Sequence, residues 1–238
     1  MRKEKDLLGI MEVPSHVYYG IQTMRARENF PITGYCPHRE LIRALGLVKA
    51  AAAQANMAAG SLNPSVGKAI VQASLEVAEG KFNDQFVVDV IQGGAGTSLN
   101  MNANEVIANR AIEILGGEKG DYAKVHPNVH VNMAQSTNDV FPTAIRIACL
   151  KVAEDLLDAL KDLKEAFAAK AEEFDGIIKM GRTHLQDAVP IRLGQEFSAY
   201  SLMLERDQHR INEAVKSLEV INMGATAVGT GLNADPGI

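Results

Sequence analysis

The chain has 238 residues, 47% hydrophobic and 22% charged, with a formal net charge of −5. That size and apolar content suit one large or two modest soluble domains with a core of their own, and the slightly acidic balance argues against nucleic acid as the main partner. No apolar run is long enough to span a membrane, and the charged start Met1-Arg2-Lys3-Glu4-Lys5-Asp6 leads into no apolar stretch of the kind a secretory signal needs. Cys36 and Cys149 form no CxxC pair and fit a reducing cytoplasm. Cys149 is expected as a buried thiol on the apolar face of a helix. Scarcely any alternating apolar pattern is present, which points to a mainly α protein.

Residues 1–37 read as short irregular pieces around a Val13-Pro14 turn and the run Tyr18-Tyr19-Gly20-Ile21-Gln22-Thr23. An alanine-rich helix is expected from His38 to Ala59, where Gly60 stops it. Asn63-Pro64 then supplies cap and first position for a second helix ending near Gly80. Residues 81–92 fit either a helix or a buried extended segment. In Gln92-Gly93-Gly94-Ala95-Gly96-Thr97-Ser98 the glycines let backbone approach a bound group, while a tight turn with a Ser/Thr cap is the plainer reading. No third glycine completes G-x-G-x-x-G and no clear βαβ unit surrounds it, so a dinucleotide site is not expected.

The helix expected from Ser98 to Leu115 carries Asn100, Asn102, Asn104 and Asn109, all poor helix formers. Asn100 and Asn104 share a face, where they build a buried amide ladder, line a polar cavity or meet solvent. His126 and His130 have the spacing of a metal pair, but Pro127 between them opposes a helical pair, and no metal is expected. Gln135-Ser136-Thr137-Asn138-Asp139-Val140-Phe141-Pro142 sets four capping residues in a row before a long apolar periodicity. With the cap near Asn138, Pro142 falls within the first turn. The surplus hydroxyls and amide at the positive end of the helix suit an anion, as they also suit an over-capped helix start.

Ile145, Cys149, Val152, Leu156, Leu160, Leu163 and Phe167 then step in heptad-like fashion along a helix from about Asp139 to Phe174, roughly 50 Å at 1.5 Å per residue. Asp175-Gly176 breaks it, and Lys179–Pro190 reads as a polar, non-helical connection. A second long helix follows, striped by Leu193, Phe197, Tyr200, Leu204, Ile211, Val215 and Leu218, and the two would be antiparallel neighbours. The expected division is an N-terminal helical domain, 1–138, and the first part of a central helical bundle, 139–238. Residues 222–233 are again rich in glycine and hydroxyls.

Three loops at helix ends, Gly93–Ser98, Gln135–Asp139 and Arg182–Asp187, thus offer neutral hydrogen-bond donors of the kind that bind small dicarboxylates and stabilise charge developing on a carboxylate. GGAGTSLNMNANEVIAN (93–109), QSTND (135–139), KMGRTHLQDAVPIRLGQEF (179–197) and NMGATAVGTGLN (222–233) are similar to successive blocks of the aspartase/fumarase superfamily, which the chain resembles along essentially its whole length. Gly94-Ala95-Gly96-Thr97, Gln135-Ser136-Thr137, Tyr18-Tyr19-Gly20 and Asn222-Met223-Gly224-Ala225 look like its aspartase branch rather than the GSGT and QSSND of the fumarase-like pattern.

The resemblance implies elimination of ammonia from L-aspartate to give fumarate, with no organic cofactor, in a cytoplasmic homotetramer whose active sites are shared between subunits. It implies that Thr97, Ser136 and Thr137 hold the β-carboxylate, that Thr183 binds the α-carboxylate, and that Asn138 and His184 position the amino group. His184 also fits a loop histidine that merely bonds a neighbouring carbonyl. The family's catalytic serine sits on a GSSxMPxKxNP loop that nothing in these 238 residues matches, so the general base is expected outside this chain and the chain alone is expected to be inactive. Val129 stands where the His126–His130 pattern usually has aspartate. Fumarate hydration and a non-catalytic helical module are the alternative readings.

Overall fold

In a computed structural model, which describes residues 1–235, the charged N-terminus is not irregular. Strands β1 (Arg2–Asp6) and β2 (Gly9–Val13) form an antiparallel hairpin with Arg2 opposite Val13. The sequence hides it because the residue β1 buries is a glutamate, Glu4. Helix α1 (Ile21–Asn29) follows, with no side-chain cap from its own N-cap residue, Gly20. Its orphan N–H groups are met from far along the chain. Ile21 N donates to Glu4 Oε2 (2.8 Å), and Glu105 accepts from Gly20 N (2.8 Å), Gln22 N (2.8 Å), Thr23 N (3.1 Å) and Thr23 Oγ1 (2.7 Å). Burial pushes the Glu105 carboxyl up to about 7 against the pull of those four donors.

The two helices with local start and stop signals form where expected. In α2 (Arg39–Ala58), His38 accepts from Glu40 N, and Gly60 follows the last turn with φ 76°. In α3 (Pro64–Ala78), Asn63 accepts from Ser65 N, Pro64 is the first residue, and Gly80 has φ 84°. Residues 81–92 hold neither a helix nor a strand. A short 3₁₀ turn, Asn83–Gln85, leads into an irregular segment that buries Phe86 and Val88. Helix α4 (Thr97–Ile114) runs through the core, where Val106, Ile107, Ala108, Ala111 and Ile112 are all fully buried.

The chain divides into two compact units. The first is Met1–Ala148 with the segment from Ile221 onward, and the second is Cys149–Val220. Helix α5 (Thr137–Glu173) begins in the first unit and continues into the second. In the second unit, β3 (Ile178–Thr183) and β4 (Gln186–Arg192) form a hairpin that leads into α6 (Leu193–Leu218). The connection expected to be non-helical is therefore a two-stranded ribbon. Ser201 Oγ donates to Lys164 O (3.1 Å) and Gln208 Nε2 to Leu157 O (3.4 Å), so α5 and α6 run antiparallel. Phe197 packs on Phe167 and Phe174 at 5.9 and 5.1 Å between ring centres.

Two helices bury only a narrow seam. Val152, Leu156 and Leu163 remain 45–46% exposed, and Cys149, expected to be buried, is exposed as well. Nothing within the second unit covers that part of the expected stripe. Among the described residues no helix is long and apolar enough to cross a membrane.

Helices α2 and α3 approach closely at Gly46 of α2, where a Cβ would stand 2.6 Å from Ser74 O and 2.8 Å from Ala78 N. These are backbone atoms of α3 and its end, which cannot swing aside. Gly46→Val should therefore lower stability by about 1–3 kcal/mol or more, as overpacked sites do. A fall in the urea midpoint measures it, and an unchanged midpoint would show that the two helices can part at no cost.

Candidate active site

Residues at the start of α5 are polarised inward and outward. Ser136 is the N-cap: its Oγ accepts from Asn138 N (3.1 Å), and Asp139 Oδ1 accepts in return from Ser136 N (3.0 Å). The cap thus lies two residues ahead of Asn138, where it was expected. Pro142 becomes the sixth helical residue, beyond the first turn. A proline there cannot bond the carbonyl four residues back. That carbonyl, Asn138 O, instead accepts from Asn222 Nδ2 (3.1 Å), while Asn138 Nδ2 donates to Ala227 O (2.8 Å) and Thr226 N to Asp139 Oδ2 (2.9 Å). The glycine- and hydroxyl-rich segment after α6 is docked on the start of α5 by these three bonds.

The glycine loop comes alongside. Gly94 and Gly96 are left-handed (φ 70° and 87°), and a Cβ on Gly96 would run into the Phe141 ring. Neither Thr97 nor Ser98 caps α4. Leu99 N donates to Gln92 Oε1 (2.8 Å), so the capping side chain comes from before the loop and Thr97 is left exposed. Gln92, Gly94, Gly96, Asn138 and Phe141 line a cleft of about 540 Å³. The N-terminal ends of both α4 and α5 open on it, an arrangement that suits an anion twice over.

Beneath this surface lies a polar network that the sequence only half disclosed. Asn100, Asn102, Asn104 and Asn109 are all buried, which settles the asparagine question against solvent. The ladder converges on one atom. Asn132 Oδ1 accepts from Asn100 Nδ2 (3.3 Å), Asn104 Nδ2 (3.3 Å) and Lys49 Nζ (2.7 Å). Asn100 Nδ2 also donates to Thr137 Oγ1 (2.9 Å), and Lys49 Nζ to Gln135 Oε1 (2.9 Å). Lys49 is fully buried. Burial brings its amine down to about 7, opposed by the charge of Asp139, whose own oxygens are taken by Ser136 N and Thr226 N. Nothing local marks Lys49. It reads as one ordinary residue of an alanine-rich helix, and its inward position on α2 was the only available signal.

The third stretch belongs to the second unit. Thr183 pairs with Gln186 across the β3–β4 turn, and His184 and Leu185 are both left-handed (φ 49° and 61°), the geometry of a two-residue hairpin turn. Thr183 and His184 are both exposed. A two-residue turn built from His-Leu rather than Asn-Gly is costly for a bulky residue such as Leu185 and holds the histidine at the tip. His126 and His130 were not expected to form a helical pair, yet Pro127–Val131 is one turn of π-helix. His126 Nδ1 accepts from Asn128 N and Val129 N (3.1 and 3.2 Å), and His130 Nδ1 accepts from His126 N (2.9 Å), so both rings serve the turn.

Two helix N-termini beside one small cleft suit the binding of a small anion. The chain belongs to the lyase family, which it matches over residues 9–238. It is 65% identical over 99% of its length to an aspartate ammonia-lyase of Bacillus subtilis, covering 50% of that protein. It is also 53% identical, over 99% of its length, to a class II fumarate hydratase of Halobacterium salinarum, again covering 50%. Its fold matches the crystal structure of fumarate lyase:delta crystallin from Brucella melitensis with a TM-score of 0.95 and 51% identity, over 99% of this chain and 52% of that one. The chain thus spans about half the length of the relatives it matches.

The Lys49 amine has a folded value near 7 against an ordinary 10.5. Between those pH values the unfolded chain holds a proton that the folded chain has released, so this group's contribution to stability rises with pH through the window. The difference in urea midpoint between wild type and Lys49→Met should therefore move in favour of wild type as pH is raised from about 7 to about 10. A difference independent of pH would show that the buried amine keeps its ordinary affinity for the proton.

Proposed function

We propose that the protein to which this chain belongs eliminates ammonia from L-aspartate to give fumarate. A base supplied outside these residues removes a proton from the carbon beside the β-carboxylate, an aci-carboxylate forms, and ammonia leaves. Thr97, Ser136 and Thr137 hold the β-carboxylate and its added charge, Thr183 binds the α-carboxylate, and Asn138 with His184 positions the amino group. The observation that carries this reading is the bond from Asn100 Nδ2 to Thr137 Oγ1. Because Asn100 is the donor, the hydroxyl proton of Thr137 is left to serve another acceptor. Ser136 and Asp139 complete the cap without Thr137. The oxygen of the Asn138 side chain stays available to an ammonium group, since its bond to Ala227 uses the nitrogen.

Hydration of fumarate is the second reading, favoured by the Halobacterium relative. The GGAGT and QSTND loops and the Bacillus relative support the first. Assembly as a homotetramer belongs to the same proposal, because the stripe of Val152, Leu156 and Leu163 is left bare by a lone helix pair.

In the full-length protein (this chain with the remaining half that its relatives carry), L-aspartate should be turned over and L-malate should not be, to any appreciable extent. Ultraviolet absorbance of fumarate follows both reactions, and faster turnover of malate would transfer the assignment to fumarate hydration. In the same protein, Thr137→Ala should lower turnover by about 10²–10³-fold, the effect of removing one donor to a developing oxyanion, and Thr137→Ser should retain most of it. Steady-state kinetics with a thermal melt as control separates this from a folding effect, and near-normal turnover in Thr137→Ala would leave Thr137 a structural role alone.

A further inference from the structure

Lys49 is a buried amine that the reaction outlined above does not use, and its surroundings are built to one polarity. Its Nζ is held by the side-chain oxygens of Asn132 and Gln135 and touches no carboxylate. Charged or neutral, the amine has protons enough to donate to both oxygens, so Asn132 turns its Oδ1 toward Lys49. That oxygen then faces Asn100 and Asn104, which must present their NH₂ groups to it. They do so at the expense of their own oxygens: Asn100 Oδ1 and Asn104 Oδ1 are buried and have no partner. Buried amides left to themselves would turn to satisfy those oxygens. The second proton of the Asn100 amide goes to Thr137 Oγ1.

We propose that Lys49 is a positioning residue of the candidate active site, whose amine, by donating to Asn132 Oδ1, fixes the direction of the hydrogen-bond chain Lys49–Asn132–Asn100–Thr137 and so aims the Thr137 hydroxyl proton outward at the substrate carboxylate. This rests on the reading of Thr137 as a donor to substrate. Without the amine, only the long bond from Asn132 Nδ2 to Gln135 O (3.3 Å) opposes reversal of Asn132; once it reverses, Asn100 can turn its oxygen toward Thr137, and the Thr137 proton is drawn inward to that oxygen. The hydroxyl remains in place and is lost as a donor. Asp139 is the charged group whose field reaches Lys49, and its oxygens are engaged with backbone N–H groups, so the amine is not neutralised by contact.

The experiment is a double-mutant cycle in the full-length protein, measuring kcat and KM for wild type, Lys49→Met, Thr137→Ala and the two together. Lys49→Met should lower kcat by about 10²-fold, the scale of one lost oxyanion donor, with a smaller change in KM. Thr137→Ala should then cost nothing further in the Lys49→Met background, because the donor is already gone. A residue that merely supports the fold would give losses that multiply. Multiplying losses, or near-normal kcat in Lys49→Met, would overturn the inference. Should Lys49→Met not fold, Asn100→Asp decides: it keeps the shape but replaces the donor to Thr137 with an acceptor, so the same 10²-fold loss supports the chain of polarity and normal turnover overturns it. Turnover insensitive to Thr137→Ala alone would overturn the site reading and this inference with it, whereas turnover sensitive to Thr137→Ala but not to Lys49→Met overturns this inference only.

Discussion

One oxygen atom, Asn132 Oδ1, ties the first unit together at the point where its helices meet. It takes a donor from α2 through Lys49 and two from α4 through Asn100 and Asn104, and its own segment leads directly into α5. Such a junction sets the rotation of each helix about its axis, because a turn of α2 or α4 by one residue would leave a buried donor without an acceptor, at a cost of about 1–3 kcal/mol for each. Apolar packing alone would specify these positions less sharply, since alanine-rich surfaces such as that of α2 slide over one another with little change in contact. Four asparagines in one helix lower its intrinsic propensity; the junction offsets Asn100 and Asn104, while Asn102 is bonded to Gln85 O and Val87 N and Asn109 to Tyr18 O and Gly120 N.

The start of α5 shows how a helix end is left open for a ligand without leaving it unsatisfied. Ser136 and Asp139 close the inner side of the cap, and the segment 222–227 closes the flank. Pro142 has a definite part in this. By removing one intrahelical bond it frees the Asn138 carbonyl, which becomes the acceptor on which Asn222 docks. Gly96 has another, since only the absence of a side chain lets the glycine loop lie against Phe141.

Elements whose signals are local were legible in the sequence. Helices α2 and α3 begin and end at their own caps and glycines, and the polar character of the three loops was visible before their geometry. The β1–β2 hairpin was not legible, because its inward residue is Glu4, and alternation is recognised only when the buried residue is apolar. The cap of α1 was hidden for a related reason: its acceptors lie on Glu4 and Glu105, and no rule confined to neighbouring residues connects Gly20 with Glu105. Lys49 was missed on the same ground. For α5 the difficulty was reversed, since the apolar spacing is plain in the sequence while the exposure of Cys149, Val152, Leu156 and Leu163 depended on what lies opposite them.

The charge balance of the cleft follows from these choices. Its walls carry the amides of Gln92 and Asn138, glycine backbone and the apolar Val90, Phe141 and Ile145, with the N-termini of α4 and α5 opening on it, and its lining includes no arginine or lysine. Fixed dipoles of this sort bind a carboxylate more weakly than a paired guanidinium would, and they gain most when extra negative charge develops on it. Interactions that strengthen between ground state and transition state raise turnover, whereas interactions equal in both raise only affinity. Two helix N-termini beside amide side chains are therefore suited to an anion whose charge grows, more than to one that is merely held.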